Sequence, residues 1–72
     1  MTVDEFDRKY QNMTADEIIS QLEKEYENDS EALTVIERAK KNIEYIKKQK
    51  EYKGQTPKQC ALSVAGELLY WH

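Results

Sequence analysis

Apolar residues recur in the middle of the chain at alternating spacings of four and three. The positions are Ala32, Ile36, Ala39, Ile43 and Ile46. This alternation keeps one face of an α-helix apolar, whereas a strand would need a period of two. It is also the a/d rhythm of a seam between packed helices. The sequence therefore predicts a long helix here, with its apolar seam against other helices.

Four positions carry helix-start signals. Two are capping boxes, in which a threonine stands three residues before a glutamate and each side chain can accept from the other residue's backbone amide. Two are simpler N-caps, a serine before a glutamate and a threonine before a proline. In chain order the capping residues are Thr2, Thr14, Ser30 and Thr56. With Gly54 ending the third helix, these signals predict helices over 3–12, 15–28, 31–53 and 57–71.

The first two helices also carry apolar stripes at helical spacing, and no alternating strand pattern competes with them. The stripe residues are Val3, Phe6, Tyr10 and Met13, then Ala15, Ile18, Ile19, Leu22 and Tyr26. We therefore expect an all-α fold, a small bundle of three to four helices with a long third helix and an apolar C-terminal helix. Residues 1–72 are expected to form a single helical domain.

The fourth helix is apolar around nearly its whole circumference, which predicts burial on nearly every side. Three short helices offer little cover, and a chain of 72 residues buries only about 60% of its unfolded surface. Its single cysteine, Cys60, cannot close a disulfide within the chain. We therefore predict a homo-oligomer, with a dimer favoured. The residues assigned to self-association are Ala61, Ala65, Leu68, Leu69 and Trp71.

Charge divides the chain into an acidic front half and a basic back half. Residues 1–35 hold ten acids and three bases, a net charge of −7, and residues 36–72 hold four acids and eight bases, a net charge of +4. Such a chain either pairs with itself, within or between subunits, or presents oppositely charged faces to partners.

Basic and aromatic residues interleave on the side of the third helix opposite its apolar seam. In the plainest interpretation this is a solvated face held by Glu37–Lys41 and Glu44–Lys48 pairs. In a second interpretation Tyr45 and Tyr52 pack on a neighbouring subunit. Alternatively the face binds an acidic partner protein, nucleic acid, or a small anion such as a nucleotide held between subunits. The candidate partner-binding residues are Lys41, Tyr45, Lys48 and Tyr52.

No pattern of residues indicates catalysis, a cofactor or a metal site. Cys60 lies among apolar residues, where a cysteine behaves as a small inert hydrophobe. The single histidine, His72, is the last residue and lacks a neighbour to orient it as a base. The two glycines are too few for a phosphate-binding loop. We therefore predict a protein that is not an enzyme.

The remaining expectations concern location and role. Neither a signal peptide nor an apolar run of about 18 residues is present, which predicts a cytoplasmic protein outside the membrane. Nine lysines against two arginines suit an AT-rich genome. We predict a protein–protein interaction module, a regulator or inhibitor of a larger protein encoded by a phage or mobile element of a low-GC bacterium. The alternative is a helical oligomer that binds nucleic acid or nucleotides through the third helix.

Overall fold

A computed structural model describes residues 2–49 and 55–71, which form four helices and no strand. The all-α class is confirmed. The helices are α1 (Val3–Tyr10), α2 (Ala15–Glu25), α3 (Ser30–Gln49) and α4 (Pro57–Trp71). α1 and α2 end two and three residues before their predicted ends, in turns at 11–12 and 26–28. The predicted last turn of the third helix, 50–53, lies outside the described residues.

The predicted capping threonines begin three of these helices. At Thr14 the box is complete, because the Glu17 amide donates to the Thr14 hydroxyl at 3.2 Å and the Thr14 amide donates to the Glu17 carboxylate at 3.0 Å. Thr56 forms the equivalent pair with Gln59, at 3.1 and 2.8 Å. At Thr2 the hydroxyl accepts from the amide three residues on, at 3.2 Å. These bonds satisfy one backbone amide at Thr2 and two at each of Thr14 and Thr56, so of the two predicted capping boxes the one at Thr14 is complete and the one at Thr2 is half formed among the described residues.

The predicted N-cap of α3 is wrong by one residue. Ser30 is already helical, and its carbonyl accepts from the Thr34 hydroxyl at 2.9 Å. The carboxylate of Asp29 accepts instead from the Ala32 amide at 3.1 Å, which makes Asp29 the capping residue. Both residue types are good caps, so the sequence offered two adjacent choices.

The core lies where α2, α3 and α4 pack against one another. All five seam residues of α3 are at most 4% exposed, as their spacing predicted. α1 adds Tyr10, which is buried, and Phe6, whose ring meets that of Tyr10 edge-on at 5.0 Å. The predicted stripe of α1 is wrong at Val3, which is 70% exposed because it precedes the part of α1 that reaches the core.

Three of the residues assigned to self-association lie on the inner face of α4. Ala61, Ala65 and Leu68 are 0, 2 and 3% exposed within the single chain. They belong to its core, because α4 packs against both α2 and α3. These three side chains therefore do not form an exposed surface for a second copy.

Candidate protein-binding face of α3

Two ion pairs join the inner edge of α3 to α2. Lys40 Nζ lies 2.7 Å from Glu23 Oε2, and Lys47 Nζ lies 2.9 Å from Asp16 Oδ2. The lysines are seven residues apart and so are the acids, in opposite chain order, so α2 and α3 run antiparallel with matching charges. The split between acidic and basic halves therefore serves, in part, to join helices within the chain.

A third ion pair joins α1 to α2, between Lys9 Nζ and Glu25 Oε1 at 2.8 Å. The hydrogen bond that Lys9 donates to Glu25 raises the pKa of Lys9. Burial raises the pKa of Glu25, but hydrogen bonds from Gln21 and Lys9 outweigh burial and leave that pKa below its ordinary value. The hydrogen bond to Glu23 likewise raises the pKa of Lys40. Each of these shifts favours the charged form that the fold uses.

A groove of about 450 Å³ runs between α2 and α3 along the two ion pairs that join these helices, and it is lined in part by Ile19 and Ile43. Asp16, Glu23, Lys40 and Lys47, which also line it, bond to one another across it. Within each of these two pairs the charges cancel, and Glu44, which also lines the groove, is in no ion pair among the described residues.

The two lysines predicted to bind a partner lie on the side of α3 away from α2. Lys41 and Lys48 are exposed, and Tyr45 between them is 49% exposed. We call these three residues the outer face. Tyr52, the fourth residue of the predicted stripe, lies outside the described residues. The exposure agrees with the predicted outward direction, and the binding role of the outer face stays a prediction.

The ion pairs predicted along α3 do not form. Within the described part of the chain, no carboxylate oxygen lies within 4.0 Å of the amine of Lys41 or Lys48. Glu37 and Glu44, predicted to pair with them, are exposed on the same helix. Within the described residues, therefore, Lys41 and Lys48 differ from Lys40 and Lys47 in forming no ion pair.

Sequence reasoning missed one cation beside the outer face. Arg38 is exposed and lines a shallow groove with Leu33, Glu37 and Lys41. Its position three residues before Lys41 places the two on neighbouring parts of the helix surface. That spacing was the signal available in the sequence.

The remaining predicted residues are scattered. Leu69 and Tyr70 of α4 are 40 and 55% exposed, so Leu69 alone of the predicted self-association set is shown at the surface. The side chain of Trp71 and the whole of His72 lie outside the described residues. Cys60 is half-buried, and burial raises the pKa of its thiol. Among the described residues, no three His, Cys, Asp or Glu side chains gather as metal ligands would.

Comparison with known proteins identifies no relative: no family model, curated protein or solved structure matches this chain. Within the described residues, no helix has both the length and the apolar character needed to cross a membrane.

Proposed function

We propose that this chain is a non-enzymatic interaction module that regulates or inhibits a larger protein, which it binds through the outer face of α3. The observation that carries the proposal is the division of the α3 lysines. Lys40 and Lys47 are held by acids of α2, while Lys41 and Lys48, one residue further along the chain, are exposed and have no carboxylate in reach among the described residues.

The outer face has the composition of a protein-binding surface. Removing part of the water from an exposed cation at the rim of an interface costs little free energy. Such cations also speed the encounter with an acidic partner. Tyrosine is enriched among the residues that contribute most to binding energy. Tyr45 is 49% exposed and stands between the two lysines in sequence, four residues after Lys41 and three before Lys48.

Nucleic-acid binding by the same residues ranks second. The exposed ring between two lysines favours it, since bases stack on aromatic side chains. Against it, affinity for phosphates grows with the number of cations available. Lys40 and Lys47 are already paired, and the exposed Glu37 and Glu44 would repel phosphates.

The proposed setting is the cytoplasm of a low-GC bacterium, with a phage or mobile element as the source of the gene. Its support is the lysine-rich composition of a chain of 72 residues. A homo-oligomer, with a dimer favoured, remains part of the proposal, with Leu69 as the predicted contact residue that the structure shows exposed.

The test is affinity capture from a low-GC host with three forms of the chain. The first is unaltered, the second carries Lys41→Glu and Lys48→Glu, and the third carries Arg8→Glu and Lys24→Glu. The third is a matched control, because it changes the net charge equally at two exposed positions on α1 and α2 that are in no ion pair of the described structure.

We expect one host protein to be captured by the unaltered chain and by the control but lost with the K41E/K48E variant. Direct titration of that purified protein should reproduce the difference. Failure to capture any protein at physiological salt, or equal capture by all three forms, would refute the proposal. A DNA mobility shift that weakens steeply with salt and depends on both lysines would favour the nucleic-acid alternative instead.

A further inference from the structure

The same charge spacing occurs on two sides of α3. On the inner side, Lys40 and Lys47 stand seven residues apart, beside the buried Ile36 and Ile43. α2 binds this side with two acids that are also seven residues apart. The apolar residues of the two helices are buried beneath these pairs and supply most of the stability of the contact, while the pairs match the charges at its edge.

On the outer side, Lys41 and Lys48 repeat the spacing of seven. Each follows an inner lysine by one residue, and one residue turns a helix by about 100°, so the two pairs face different directions. Tyr45 lies beside the outer pair, where the inner pair has isoleucine. The outer side is exposed, whereas α2 covers the inner side.

From this repetition we infer that the outer face binds an acidic amphipathic helix of the partner protein, with two carboxylates seven residues apart. The inference rests on the proposed function and specifies the partner's chemistry. Complementary charge is the reason for an acidic partner, since both outer lysines lack a carboxylate in reach within the described chain. Two separate carboxylates can each face a lysine and avoid the exposed Glu37 and Glu44, whereas a continuous run of phosphates would also pass these two acids.

Spacing is the reason for a helix. Residues seven apart in a helix are about 10.5 Å apart along its axis and lie on nearly the same side. A partner helix with acids seven apart therefore presents them at the separation of Lys41 and Lys48, with an apolar residue between them opposite Tyr45. Acids five residues apart would be about 7.5 Å apart and on different sides of the helix.

The test uses stapled helical peptides and fluorescence anisotropy at low ionic strength, where exposed charges are least screened. The first peptide has two glutamates seven residues apart on an otherwise neutral helix with leucines between them. The second has the same composition with the glutamates five apart, and the third has lysines in place of the glutamates of the first. Each is titrated with the full-length chain, its K41E/K48E variant and the R8E/K24E control.

We expect the first peptide to bind the unaltered chain and the control at least about tenfold more tightly than it binds the K41E/K48E variant, because reversing both charges turns two attractions into repulsions. The second peptide should bind the unaltered chain more weakly than the first. The third should prefer the K41E/K48E variant. Circular dichroism will show whether that variant keeps the helical fold.

Equal binding of the first two peptides, or no preference of the third for the variant, would overturn the inference. A duplex DNA oligonucleotide that binds the outer face more tightly than the first peptide would do the same. If capture of a host protein depends on Lys41 and Lys48 while the peptide spacing has no effect, the proposed function stands and the helical partner is wrong. If neither depends on the two lysines, both proposals fall.

Discussion

Replacing Ala61 by leucine tests whether the small-residue face of α4 is internal core or an interface between copies. Ala61 is fully buried among α2, α3 and α4 and lines neither of the grooves described above. Leucine adds three carbons. If the core had room for them, burying each added carbon would favour folding by about 0.8 kcal/mol. Without space, the added volume forces off-rotamer side chains and backbone shifts that cost about 1–3 kcal/mol.

We therefore expect Ala61→Leu to lower the free energy of unfolding by about 1–3 kcal/mol. A chain of this length has roughly 4–11 kcal/mol in total, at about 0.05–0.15 kcal/mol per residue. Each kcal/mol lowers the melting temperature by about 4–8 °C in so small a domain. The change should thus be plain in a thermal melt.

The assay is thermal and urea unfolding followed by far-UV circular dichroism, at two protein concentrations. The matched control is Ser63→Leu, which adds a leucine two residues away at an exposed position of α4. Such a surface change should stay within about 0.5 kcal/mol. Unchanged stability of Ala61→Leu, or a loss seen only as weaker association on dilution, would refute the assignment of Ala61 to the core.

Three further predictions concern caps, glycine and pH. Asp29→Ala should lower the free energy of unfolding by about 0.5–2 kcal/mol in urea titration, because it removes the cap of α3; a larger loss from Ser30→Ala would show that the serine is the cap. Gly66→Ala should raise it by about 0.5–1 kcal/mol, because the added Cβ meets nothing within 4 Å and alanine favours a helix; a destabilised variant would contradict the open space seen there. Hydrogen bonds at the Thr14 cap lower the pKa of Glu17 in the fold. The pKa of Glu25 is also lowered, because hydrogen bonds from Gln21 and Lys9 outweigh the opposing effect of burial. The contribution of these two glutamates is therefore complete above the ordinary glutamate pKa of about 4.3 and is lost as the pH falls through the lowered values. The melting temperature should decline in that acid range, and a melting temperature constant throughout it would contradict these shifts.

The helices were predictable because their signals are local. A cap involves residues three apart, and an apolar stripe involves residues three and four apart, so neither requires knowledge of distant parts of the chain. The seam of α3 and the caps at Thr14 and Thr56 were found in this way. Local signals failed where two neighbours suit one position equally, as Asp29 and Ser30 do.

The candidate site was only partly predictable. The helical period placed Lys41, Tyr45 and Lys48 on the side away from the seam, and the structure shows all three exposed. The same period suggested that Lys41 and Lys48 pair along the helix, which they do not within the described residues. Exposed pairs of this kind contribute so little that their formation is not decided by spacing alone.

By itself, then, the sequence determined the helical class, the helix starts to within a residue and the buried seam of α3, because these depend on contacts between near neighbours in the chain. Only the tertiary structure decided which lysines are neutralised. Lys40 and Lys41 are adjacent and chemically identical, and the position of α2 beside one of them places Glu23 within 2.7 Å of it. The position of α4 likewise placed Ala61 and Ala65 in the core instead of on a dimer surface. Both outcomes depend on how helices distant in sequence pack together, and a helical period shows which residues share a face without showing what covers that face.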